Sequence, residues 1–305
     1  MASMVFSDQQ QGYFYVVITM LIWGGFTLLS RLNAVWHISG LDMTALRFAL
    51  AFVILVPILL YRRDWQFLWQ PRAIILALIG GVAYCLTAYS AFQFAPAAHA
   101  AIFLNGALPL CTALAAWFLF QQPFDRHMWL SVVIMLGSLL IMSYLMFHTG
   151  QVHLGWGELL FVLSASCWGV FTVLLREWKL SAWQAMCSVA IWSAVIYIPI
   201  YVLFLPKQLA MAQPIHLLIE TLFHGVLVVI IATMTYVRAI ERLGAFKTGS
   251  IVTLAPFIAA VLAVPLLHEP LSIAMVCGLV GMGVGALQPW RWFKSDTVDE
   301  AVNRP

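Results

Sequence analysis

Two stretches of the sequence set the same kinds of side chain at the same spacing. Thr19, Trp23, Thr27 and Arg31 recur every four residues, and Ser164, Trp168, Thr172 and Arg176 repeat the order. In a helix, residues four apart lie near one face, and the stripe winds slowly because each step overshoots a turn by ~40°. A hydroxyl, an indole, a hydroxyl and a guanidinium on one face would wall a cavity that holds a small solute by hydrogen bonds, ring contacts and charge. The plainer reading is that the arginines snorkel to an interface at helix ends while the tryptophans pack. Arg47, His99, Asn105 and His224 also fall inside apolar runs, with Tyr84, Tyr89 and Tyr236. Arg47 would either bind a carboxylate or anchor a helix end. Asn105 would hydrogen-bond a zwitterion or glue two helices, and His99 and His224 would face the solute or pack. The tyrosines would grip an aromatic body or join an interfacial belt, Tyr84 being the deepest.

Catalytic constellations are missing. HEPLS at 268–272 has Ser272 where a second zinc histidine would stand. There is no G-x-S-x-G elbow and no Walker loop, which argues against an intramembrane enzyme and an ATP-driven pump. Cys85, Cys111, Cys167, Cys187 and Cys277 all lie in apolar runs without a C-x-x-C partner, so neither a zinc site nor a disulfide framework is expected. No cofactor or metal is implied.

The elements that must carry these residues follow from composition. Hydrophobic residues are 63% and charged residues 9% of the 305, against roughly 45–50% and 25% in soluble proteins. Twelve acids and fifteen bases cannot coat a soluble surface of this size. The expected fold is an all-α polytopic membrane protein, and a net charge of +3 is too small to imply a nucleic-acid partner. Spans of about 20 apolar residues are expected near 13–31, 42–61, 73–94, 97–119, 128–147, 157–175, 182–205, 217–238, 245–267 and 271–290. The start, MASMVFSDQQQ, lacks a basic n-region, so the first run reads as a retained span. With tails 1–12 and 291–305 both cytoplasmic, twelve of the fifteen basic residues fall on the inner side, as the positive-inside rule requires.

The chain also repeats itself. IWGGFTLLSR at 22–31 matches CWGVFTVLLR at 167–176 at an offset of 145. Pro109 answers Pro256, QQPF at 121–124 answers HEPL at 268–271, and Tyr89 answers Tyr236, all at an offset of 147. Five spans per unit, 13–149 and then 150–290, mean that the second copy enters the membrane from the opposite side. Inverted repeats of this kind recur in secondary transporters, with the solute site near the midplane at their interface. Inversion would put Arg31 at the outer mouth and Arg176 at the inner one, as paired electrostatic gates. Pro109 and Pro256, inside the fourth and ninth spans, would be symmetric hinges. Gly281 and Gly285, at GxxxG spacing, would make a close helix contact within the fold or in a homodimer.

W-G in the first span, A-L-R-F at 45–48, a proline-bearing fourth span and Q-P before the fifth together resemble the EamA family of the drug/metabolite transporter superfamily. So do W-G at 168–169, the run at 235–256 and H-E-P before a glycine-rich span. The resemblance covers about residues 13–290. It implies a ten-helix basket of two inverted five-helix repeats, with a central cavity lined by the first, third, fourth, sixth, eighth and ninth spans. One departure is Gln122, where family members commonly carry Glu; the second copy keeps Glu269.

The expected function is export of a small organic metabolite across an inner membrane by alternating access, the solute being an amino acid, a related compound, a hydrophobic amine or a drug. A lipid or headgroup flippase is the alternative. Substrate and membrane lipid are the expected partners. Every carboxylate is placed by the span map in a tail, a loop or a span end. That favours exchange or facilitated movement unless His99 or His224 carries a proton.

Overall fold

The computed structural model describes residues 7–122, 126–148, 155–252, 254–268 and 272–288. Among these, all regular structure is helical. In chain order the helices are α1 (Asp8–Val35), α2 (Gly40–Arg62), α3 (Pro71–Phe94), α4 (Ala97–Ala100, running on through Ala101–Gly106), α5 (Leu108–Phe120) and α6 (Arg126–His148). Then follow α7 (Trp156–Glu177), α8 (Ala182–Phe204), α9 (Pro214–Leu243), α10 (Ala245–Val252), α11 (Ala255–Leu267) and α12 (Ile273–Leu287). Seven described stretches are long and apolar enough to cross a membrane: α1, α2, α3, Phe103–Phe120, α7, α8 and α9. Arg126–Met142, Phe257–Leu266 and Val276–Gly285 are shorter apolar helices where the sequence suggests a fifth, a ninth and a tenth span.

Local chemistry sets the helix starts. Ser39 and Ser181 cap α2 and α8, accepting the backbone N–H groups of Asp42 at 3.1 Å and Gln184 at 3.3 Å, which satisfies an otherwise orphaned donor. Pro71 and Pro214 open α3 and α9, where a missing N–H costs nothing. Pro109 and Pro256 likewise stand in the first turns of α5 and α11. This corrects the expectation of prolines kinking continuous helices: the fourth span breaks ahead of Pro109, and a new helix starts with the proline in place. Left-handed residues terminate segments in matched pairs, His37 with Lys179 and Gln121 with His268. Wide π-type turns interrupt α3 at Ala77–Ala83 and α9 at Phe223–Ala232. Such turns free backbone groups and often mark functional stretches.

Packing runs between the halves. α1 lies against α9 and α11, while α7 lies against α3 and α5, which is the same pairing with the halves exchanged. α2 packs on α8 and α6 on α12. Small residues permit the closest approaches: a Cβ on Gly169 would lie 2.8 Å from the α5 backbone at Cys111 and Thr112. On α12, Gly285 makes room for Met135, and Gly281 for Ser138, both on α6. Both glycines of the GxxxG pair thus face α6 within the chain.

Contacts also group the helix ends. At one end Asp8 pairs with Arg242 at 2.7 Å, Glu241 accepts from the Ala182 N–H at 3.3 Å, and Arg62 and Arg72 lie over the rings of Trp183 and Trp178. This basic end gathers the starts of α1, α3 and α8 with the ends of α2, α7 and α9. At the opposite end Trp36 stacks on His216 at 4.1 Å. There Asp42 accepts from the Tyr201 hydroxyl, from Ser39 Oγ at 2.7 Å and from the Gln208 N–H at 3.1 Å.

Candidate functional site

A cavity of about 180 Å³ extends between α5, α6, α7, α9 and α12, lined by Thr112, Gln122, Ser131, Thr172, Arg176 and Tyr236 among others. Its polar rim belongs to the basic end. Glu177 accepts from Gln122 Nε2 at 2.8 Å and from Arg176 Nη2 at 2.8 Å, so Arg176 stands at the rim already paired. Gln122, the residue that departs from the family pattern, thereby ties α5 to the end of α7.

Of the cavity's lining residues, Tyr236 belongs to a layer of aromatic rings. Thr172 Oγ1 lies 3.5 Å from Tyr236 Oη, and the Tyr236 ring is 5.0 Å from Trp23. Trp23 meets Trp168 edge to face at 5.4 Å, and Trp168 meets Tyr84 at 4.8 Å. These separations and tilts are those at which ring quadrupoles attract, about 0.5–1.5 kcal/mol per pair beyond burial. The four-residue stripes thus meet face to face, α1 giving Trp23 and α7 giving Trp168 and Thr172. Tyr84 stands where the wide turn of α3 ends.

Beneath the rings lies a second space of about 20 Å³, bounded by Trp23, Phe26, Arg47, Tyr84, Trp168 and Thr233 among others. It has room for a single water and not for an organic solute. Two buried donors on its wall, Arg47 Nε and Trp168 Nε1, have no hydrogen-bond acceptor. Buried donors normally find partners, so this wall is short of an acceptor oxygen.

Behind it runs a chain of polar side chains that spans three helices. Arg47 Nη1 donates to Tyr89 Oη at 2.9 Å, Tyr89 Oη lies 2.7 Å from His224 Nδ1, and His224 Nε2 lies 3.0 Å from Glu220 Oε2. Glu220 and His224 are wholly buried, and Arg47 is 4% exposed. Arg47 accordingly does not snorkel outward. Glu220, which the span map puts near a helix end, is shielded from solvent there by its neighbours.

The remaining expected residues are dispersed. Asn105 Nδ2 donates to Thr27 Oγ1 at 3.2 Å, which joins α4 to α1. Arg31 Nη1 donates to the Phe92 carbonyl at 3.1 Å and ties α1 to α3. His99 Nδ1 sits 2.6 Å from Glu158, which also caps α7 through the Gly155 N–H at 2.9 Å. His99 therefore belongs to a buried pair between α4 and α7 and not to the aromatic cluster. Glu220 is a central partner that the residue patterns do not single out, and Tyr89, named there as one of three tyrosines, finds its partners on α2 and α9. Glu269 and the tail lie outside the described residues, as does the side chain of Pro256.

The EamA-like transporter family model matches the chain twice, over residues 10–144 and 155–288. The chain belongs to the EamA-like transporter family. The two matches are the repeated halves whose caps, wide turns and pairings correspond, and the family named by the sequence motifs is the one found. A solved structure described only as the crystal structure of a protein is similar in fold at a TM-score of 0.64 and 20% identity, covering 93% of this chain and 99% of that one. No curated protein matches. Family membership and the seven long apolar helices make this a multi-pass membrane protein of a transporter family, not an enzyme family.

Proposed function

We propose that the protein is a secondary carrier that exports a small organic metabolite, an amino acid or a related compound, by alternating access. Ten spans form two inverted halves in a bacterial inner membrane, with both termini cytoplasmic. The exchanged pairings of α1 with α9 and α7 with α3, and the grouping of the α1 start with the α7 end, support the inversion. Basic side chains at that same end support its cytoplasmic placement.

The observation that carries the reading is the asymmetry of the seam between the halves. From the basic end a cavity of about 180 Å³ reaches Tyr236, at the edge of the aromatic layer. At the other end Asp42, Trp36 with His216, Arg31 with the Phe92 carbonyl, and His99 with Glu158 hold the helices together. This is the arrangement of a carrier open to one side. A solute with an aromatic or apolar body would rest on Trp23, Trp168, Tyr84 and Tyr236, and its carboxylate would supply the acceptor that Arg47 and Trp168 lack. Thr27, Asn105, Thr172 and His224 position these groups by hydrogen bonds, and Arg31 and Arg176 tie the two mouths. The helix breaks ahead of Pro109 and Pro256 are where the halves flex.

The test is an efflux screen in cells expressing the chain, using amino acids and toxic analogues. Saturable efflux of aromatic amino acids, lost in Trp168→Ala and weakened in Asn105→Ala, is expected. Efflux unaltered by both substitutions would refute the site, and lipid scrambling without solute efflux would favour a flippase.

A further inference from the structure

A groove of about 410 Å³ lies apart from the seam cavity and shares none of its residues. Its walls come from α2, from the short turn at Gln66–Trp69 and from α8, and include Phe52, Val56, Leu60, Trp65, Trp69 and Trp192. None of the lining side chains carries a charge, a hydroxyl or an amide. Sites for organic solutes hold a few convergent polar groups; these walls suit a hydrocarbon chain instead. The groove is also set before anything enters it. Trp192 Nε1 donates to the Leu68 carbonyl at 2.7 Å and pins the turn to α8, Phe67 anchors the turn in the core, and Trp69 meets Trp192 edge to face at 6.2 Å. From Phe52 to Leu60 it follows α2 for about 12 Å, at 1.5 Å per residue. One leaflet holds ~15 Å of hydrocarbon, half of the membrane core, so the groove is about one leaflet deep.

Positive charge gathers at one end of it. Arg62 and Arg63 close α2 within a turn of the lining residues Leu59 and Leu60, and Arg72 stands in the first turn of α3. All three are exposed, and with Asp64 they give residues 62–72 a net charge of +2. Arg62 lies over the Trp183 ring at 4.6 Å and Arg72 over that of Trp178 at 5.7 Å. None of the three forms an ion pair with a described carboxylate. Tryptophans collect at the headgroup level of a membrane, and basic pockets beside spanning helices bind anionic headgroups. We propose that the groove is a lipid site: one acyl chain of an anionic phospholipid lies along α2 and α8, with its phosphate against Arg62 and Arg63. The phosphate supplies the charge-assisted acceptors that these guanidinium groups lack. A neutral lipid gains the same burial without that contact, so charge sets the preference. The site needs only the placement of the chain in a membrane and stands apart from the carrier reading.

Phospholipids with brominated chains quench the fluorescence of tryptophans they touch, and tryptophans line this groove. The full chain in phosphatidylcholine vesicles is titrated with brominated phosphatidylglycerol or with brominated phosphatidylcholine carrying the same chains. The difference between the unsubstituted protein and Trp69→Phe isolates the signal of the groove; Trp69 is exposed, so that substitution leaves the fold intact. Phosphatidylglycerol should be preferred there by about fivefold or more, the scale of one arginine at a membrane surface. Replacing both Arg62→Gln and Arg63→Gln should bring the two lipids level. Arg126→Gln on α6, which packs on α12, removes a charge elsewhere and should keep the preference. Equal quenching by the two lipids in the unsubstituted protein, or a preference that survives the loss of both arginines, overturns the proposal. If the double variant does not fold, Arg63→Gln alone decides, with an expected loss of about fivefold in preference. A Trp69 that neither lipid quenches, in a protein that sediments as a dimer, would mean that a second copy covers the groove and would overturn it equally.

Discussion

Trp168 packs against Trp23, Tyr84 and Phe171 while its indole N–H stays unpartnered, and two substitutions separate those roles. Trp168→Ala removes the ring as well as the donor, and should cost about 3–5 kcal/mol of stability, as deletion of a large buried aromatic does; thermal unfolding in detergent measures it. Trp168→Phe keeps a ring and removes only the donor. It should fold normally and weaken binding of a carboxylate solute by about tenfold, the scale of one hydrogen bond to a charged group, measured as a change in half-saturating concentration. The meeting of Trp23, Trp168 and Thr172 was legible in the sequence because helical periodicity alone sets a stripe and the repeat supplies its counterpart. Glu220 was not legible, nor was the partner of Tyr89. Tyr89 meets His224 across a separation of 135 residues, and Glu220 is buried by helices that a span map does not arrange. His99 shows the same gap, since its partner Glu158 is 59 residues away.

Among the elements, α7 is pressed hardest into the seam, and Gly169 is where it must stay thin. A methyl group there would meet α5 backbone at 2.8 Å, and backbone cannot rotate aside as a side chain can. Gly169→Ala should therefore lower the melting temperature by several degrees and reduce transport, whereas Gly137→Ala on α6, with open space around it, should change neither. The seven long apolar helices were readable from hydropathy. The starts of α5 and α11 were misread, because a proline inside an apolar run looks like a kink until the break before it is seen. The GxxxG spacing on α12 signalled a close contact correctly but not its partner, α6, since spacing names a face and not what covers it.

For the whole molecule, the account requires two halves that present one seam to the two sides of a membrane in turn. The basic end and the end gathered around Asp42 play different parts in it. Asp42 is wholly buried among Tyr201, Ser39 and the Gln208 N–H. Asp42→Asn removes its charge and weakens three charge-assisted bonds, so it should shift the population toward opening at that end. Faster labelling of a cysteine placed at Arg31 in the substituted protein would register that shift. The side-directed measurement at Thr112, on the wall of the larger cavity, tests the central claim most directly. Thr112→Cys, in a background with the native cysteines replaced, is exposed to a membrane-impermeant thiol reagent in right-side-out and inside-out vesicles. The account predicts fast labelling from the side carrying Arg62 and Arg242, and protection when a transported solute is bound. Equal and simultaneous labelling from both sides, or labelling confined to the Asp42 side, would contradict it.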